Sequence, residues 1–66
     1  MQIIVNGDSQ ELQDGLTVIA LLDHLRLRVD RVAIELNHEI LPKDRWPYTY
    51  LHPGDNFEIV QLVGGG

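Results

Sequence analysis

The sequence predicts an α+β domain, a mixed sheet of four to five strands with one helix packed on one face. Three observations carry this. The extended run Ile3 to Val5 meets the turn-forming Asn6-Gly7-Asp8, and a second extended run follows it. A single stretch, Val18 to Leu25, spaces its apolar residues for a helix. Beyond it, Val32 to Leu36 and Asn56 to Val63 read as strands, and one helix covers only one face of the sheet they form.

The elements follow in order. Gln2 to Asn6 reads as a strand and Ser9 to Gln13 as its return, joined by residues that tolerate positive φ, so the chain opens on a β-hairpin. Asp14-Gly15 breaks the pattern. Thr17 then suits a helix N-cap, with Leu16 and Leu21 placed as a hydrophobic staple, while Ala20 occupies the position where a capping box needs an acid. Val18, Leu21, Leu22 and Leu25 form the apolar stripe of a helix ending near Leu25 to Leu27, and Asp23, His24 and Arg26 fall largely off it. Val32 to Leu36 buries Val32, Ile34 and Leu36 and presents Ala33 and Glu35. Asn37-His38 makes a turn into a short edge strand, Glu39 to Leu41, stopped by Pro42. Lys43 to His52 reads as a loop in which Trp46, Tyr48 and Tyr50 pack over the core, and Pro53-Gly54-Asp55 turns into the last strand. This is the β-grasp order of ubiquitin-like domains, with residues 1–63 as the domain and 64–66 as a flexible glycine tail.

Composition removes several classes of function. At 66 residues the chain has room for one thin core and no deep catalytic cleft. With no cysteine it can form neither a disulfide nor a thiolate metal site, and His24, His38 and His52 are too scattered for a metal. Ten acidic residues against five basic give a net charge of −5, which repels nucleic acid and favours a partner with a basic face. A mean hydropathy near zero argues against a membrane span, and Asn6-Gly7 interrupts any signal-peptide pattern, so the expected location is the cytoplasm. Glu39 and Asp44 have no acid or nucleophile beside them in a cleft, and acid–base catalysis has no support.

The chemistry lies at the chain's end, where Gly64-Gly65-Gly66 directly follows a strong strand. Three extended residues span about 10 Å, and without Cβ atoms they pass a channel closed to side chains, delivering a carboxylate to an active site elsewhere. By itself such a run also fits a frayed end or a cloning remnant. A second candidate is the outward face of the last strand. If Phe57 and Ile59 face the helix, Val60 and Leu62 face away, with Ile4 on the first strand at the same parity, Ala33 bordering them and Val63 beside the tail. These residues are either scattered surface apolarity or a docking face.

Residues Asn37, Glu39, Ile40, Pro42, Trp46, Leu51, Gly54-Asp55, Glu58-Ile59-Val60 and Val63-Gly64-Gly65-Gly66 stand at spacings that resemble those of the ThiS family of sulfur carriers. The resemblance runs over essentially the whole chain. It departs at Arg26 and His38, where that family often has glycine, at Lys43, where arginine is common, and at Pro47. What it implies is a carrier that is not itself an enzyme and binds no cofactor. An adenylyltransferase like the activating enzymes of ubiquitin consumes ATP to adenylate Gly66. A sulfur donor system such as a cysteine desulfurase supplies the sulfur of a thiocarboxylate, and thiazole synthase takes it up. The free carrier is expected to be a monomer. The small subunit of molybdopterin synthase and a ubiquitin-like protein modifier share the tail and stand as rival readings.

Overall fold

The computed structural model describes residues 1–63. Five strands form a mixed sheet: β1 (Gln2–Val5), β2 (Asp8–Glu11), β3 (Val32–Leu36), β4 (Glu39–Ile40) and β5 (Asn56–Gln61), in the spatial order β2-β1-β5-β3-β4. The helix α1 (Val18–His24) follows the first hairpin. Strands β1 and β5 run parallel at the centre, and every other pairing is antiparallel. The expected α+β class and one-helix, mixed-sheet architecture are therefore what the chain adopts.

Local chemistry explains the ends of most elements. Asn6 and Gly7, at φ of 50° and 85°, make the left-handed turn that matches strand twist in a two-residue hairpin. Thr17 caps α1, its Oγ1 accepting from the Ala20 N–H at 3.2 Å. The helix closes in a Schellman motif, with the Leu27 N–H donating to the Leu22 carbonyl at 2.9 Å and the Arg26 N–H to that of Asp23 at 3.0 Å. Arg26 occupies the left-handed position there, at φ 60°. Asn37 and His38 turn β3 into β4 at φ of 52° and 72°. Before β5, Pro53 and Gly54 form a tight turn in which Asp55 N–H donates to the His52 carbonyl at 3.0 Å, with Gly54 at φ 84°.

Side chains complete what local rules leave open. Asn6 reaches across to β5, its Nδ2 donating to the Ile59 carbonyl at 3.0 Å and its Oδ1 accepting from the Ile59 N–H at 2.7 Å. It extends the β1–β5 ladder where the β1 backbone has already turned away. Asn37 does the same at the other edge of β5, accepting from Asn56 N–H at 2.9 Å and donating to the buried Asp55 carboxylate at 3.2 Å. The Met1 α-amine donates to the Leu12 carbonyl and pairs with Glu11 at 3.1 Å and Asp14 at 3.5 Å, tying down the open end of the hairpin.

One core lies between α1 and the sheet. Val18, Leu21 and Leu22 from the helix meet Ile3, Val5, Val32, Ile34, Phe57 and Ile59, closed by Leu12, Leu51 and Trp46. The segment read as a loop differs from expectation: Lys43–Tyr48 is a 3₁₀ helix that packs against α1. Trp46 is buried, with its indole N–H donating to the Leu41 carbonyl at 3.0 Å. Tyr48 and Tyr50, expected to pack with it, are exposed instead: the 3₁₀ turn spends its single inward position on the indole, and Tyr50, beyond the turn, pairs with Thr17 in an isolated bridge. A second short 3₁₀ turn, Val29–Arg31, precedes β3 where no element is expected, and β5 stops at Gln61, short of Val63.

Candidate functional site

The helix covers one face of the sheet and leaves the other open. Burial along β5 alternates, with Phe57 and Ile59 inward and Glu58 and Val60 outward. Val60, Leu62 and Ile4 are exposed, at 59%, 53% and 39%, and Val63 is almost fully so. The structure thus presents all four described residues of the proposed face to solvent. The tail residues Gly64, Gly65 and Gly66 lie outside the described residues.

Register decides which of these residues meet. Val60 sits directly opposite Ala33 on β3, and Ile40 of β4 sits opposite Glu35, so Val60, Ala33 and Ile40 line a shallow, mainly apolar groove of about 200 Å³. Leu62 lies one outward step further toward the tail. Ile4 pairs with Asn56, two outward positions back along β5 from Val60. It shares the face without joining the groove, so the patch falls into two parts separated at Glu58. Ile40, 80% exposed, was missed as a surface residue by sequence reasoning, although its opposition to Glu35 settles its direction once the hairpin register is known.

The groove also carries charge. Glu35 and Glu58 stand directly opposite each other across β3 and β5, a like-charge pair that weakens a sheet unless something else uses it. Together they give the apolar groove an acidic border. Among the described residues no group of His, Asp and Glu is placed to hold a metal ion, and His24, His38 and His52 are exposed on separate elements. No described helix is long and apolar enough to cross a membrane. Glu39 and Asp44 are exposed on separate elements.

Comparison with known proteins bears on what this surface and tail serve. The sequence model of the ThiS family matches residues 3–66. The sulfur carrier protein ThiS of Escherichia coli is 32% identical over 66 residues, covering all of both chains. A thiazole synthase of Paramagnetospirillum magneticum is 38% identical over 66 residues, but the chain spans only 20% of that relative's length. In three dimensions the chain resembles the crystal structure of a thiamine biosynthesis protein (ThiS) from Geobacter metallireducens, with a TM-score of 0.84 and 32% identity over the whole of both chains.

Proposed function

The chain belongs to the ThiS family, and from that premise we propose that it is a sulfur carrier of thiamine biosynthesis whose Gly66 α-carboxylate bears the sulfur. The observation that carries the reading is a family match running from the first strand through Gly64-Gly65-Gly66. A fold with a thin core, a narrow glycine run and an open apolar face suits a protein that is acted upon, a co-substrate in the cytoplasm rather than a catalyst.

A free α-carboxylate has a pKa of about 3.5 and is an anion at neutral pH, so it is a poor acyl electrophile. Activation follows from attack of a Gly66 carboxylate oxygen on the α-phosphorus of ATP, with pyrophosphate leaving and an acyl-adenylate formed. The adenylyltransferase supplies the charge stabilisation for this step. The terminal sulfur of a persulfide then attacks the acyl carbon and AMP departs, leaving an acyl disulfide. A thiol cleaves its S–S bond, releasing the thiocarboxylate and a new disulfide. The chain has no cysteine, so the persulfide, loaded by a donor such as a cysteine desulfurase, and the thiol both come from outside it. Thiazole synthase is the acceptor, a role supported by the relative of that name in which a similar segment occupies a fifth of the length.

Val60, Leu62, Val63 and Ile4 form the docking face for these enzymes. Their exposure favours this, as does the position of Leu62 and Val63 next to the tail. Intact-mass measurement after incubation with ATP, the adenylyltransferase and a persulfide donor tests the whole reading. Replacement of one oxygen by one sulfur at the C-terminal glycine is the expected result, lost when Gly66 is deleted. An isopeptide adduct on a lysine would establish a modifier instead, and an unchanged mass with no AMP released would overturn the carrier reading.

A further inference from the structure

Three of the chain's five basic residues, Arg26, Arg28 and Arg31, gather on one groove of about 270 Å³ that is completed by Gln61 and Leu62. In a chain of net charge −5 this concentration stands against the overall sign. Its place is the root of the tail, where the Leu62 N–H donates to the Arg31 carbonyl at 2.7 Å. The fold builds it from three separate segments: the end of α1, the 3₁₀ turn before β3, and the end of β5.

The three arginines are not equivalent. Arg28 is held by Asp30 through two hydrogen bonds of 3.2 Å, which keep the Asp30 carboxyl below the ordinary carboxylate range. Among the described residues Arg26 and Arg31 make no ion pair. Arg26 also sits at φ 60° in the closing turn of α1, a conformation that glycine adopts freely and that disfavours any side chain. The turn itself therefore does not call for an arginine, which glycine would replace without strain.

Resting on the carrier reading, we propose that Arg26 and Arg31 form a basic collar that docks on an acidic surface of the adenylyltransferase around the entrance to its tail channel. Guanidinium groups suit this because they grip carboxylates with paired hydrogen bonds. Geometry selects a protein surface over the phosphates of ATP. Gly66 lies four positions beyond Leu62, about 13 Å of extended chain, which exceeds the reach of an arginine side chain. When the Gly66 carboxylate is at the α-phosphate, the collar is still outside, at the rim. The collar fixes the direction from which the tail enters, while the apolar groove and its two glutamates engage a separate part of the partner.

The test is binding of the intact carrier to its adenylyltransferase across a range of salt concentrations, with AMP formation measured in parallel. Arg26→Gly and Arg31→Gln should each weaken binding roughly 3- to 30-fold at low salt and flatten its salt dependence. Arg45→Gln, which makes the same change in net charge from the 3₁₀ helix Lys43–Tyr48 and does not line the groove, should leave both near the wild-type values. Arg26→Gly should also melt no lower than the wild type, which separates lost docking from lost folding. Equal weakening by Arg45→Gln would show that net charge alone acts and overturn the collar. Unchanged affinity in the two collar variants, or a raised KM for ATP at unchanged affinity, would overturn it as well. A wild-type carrier that forms no adenylate would instead remove the carrier reading, and the collar with it.

Discussion

Replacing Asn6 by glycine tests how the last strand is held ahead of the tail. Glycine keeps the left-handed φ of 50° without strain, so the change isolates the side chain. What is lost is the pair of hydrogen bonds to Ile59, at 3.0 and 2.7 Å, with a residue 53 positions away. Each is worth about 0.5–1.5 kcal/mol, so the pair contributes about 1–3 kcal/mol. Strand β1 ends at Val5, and no β1 backbone group stands ready to replace them. For a domain of this size total stability is about 3–10 kcal/mol, so the loss is a substantial share. In urea, with a slope of about 1 kcal/mol/M, the midpoint should fall by about 1–3 M. Hydrogen exchange at the Ile59 amide should accelerate in the same variant, since its acceptor is gone. A midpoint within about 0.3 M of the wild type would refute the reasoning, showing that water satisfies both groups as well as Asn6 does.

Other perturbations follow from the same geometry. Val60→Asp or Leu62→Asp should change stability by under about 0.5 kcal/mol in denaturant melts, because both residues are exposed, yet weaken adenylyltransferase binding by about 1–3 kcal/mol. A folded variant that binds normally would leave the apolar face without a role. His38→Gly should stabilise the fold by about 1 kcal/mol, since His38 holds φ 72° at the second position of a two-residue hairpin turn; a lower melting temperature would show that the imidazole makes a compensating contact. The Met1 α-amine has its pKa raised, first by the hydrogen bond it donates to Glu11 and then by the charges of Glu11 and Asp14. A raised folded pKa means that the stabilisation is complete below the unfolded value and is lost as pH climbs through the folded one, so stability should decline above about pH 8. Glu11→Gln should flatten that decline in melts run from pH 7 to 10, and an identical slope in the variant would remove Glu11 as its cause.

Much of the local structure was legible in the sequence because the interactions that set it are local. Asn6-Gly7 specifies its turn by φ alone, Thr17 reaches only three residues to cap α1, and the alternation of Phe57, Glu58, Ile59 and Val60 assigns two faces whatever lies beside the strand. The outward direction of Val60 and Leu62 was readable for that reason. Tertiary structure alone decided how those faces are populated. Parallel pairing of β1 with β5 puts Ile4 opposite Asn56 and so apart from the groove, while pairing of β3 with β4 brings Ile40 into it. The fate of Lys43–Tyr48 was also nonlocal. Within its 3₁₀ coil one indole fills the core and finds the Leu41 carbonyl, leaving Tyr48 to solvent. Arg26, Arg28 and Arg31 are spread over six residues of the chain, and they line one groove only when β5 returns beside the turn that precedes β3. A period or a cap depends on residues within one turn of each other, whereas a register is a choice among many long-range pairings that is made only when the whole core closes.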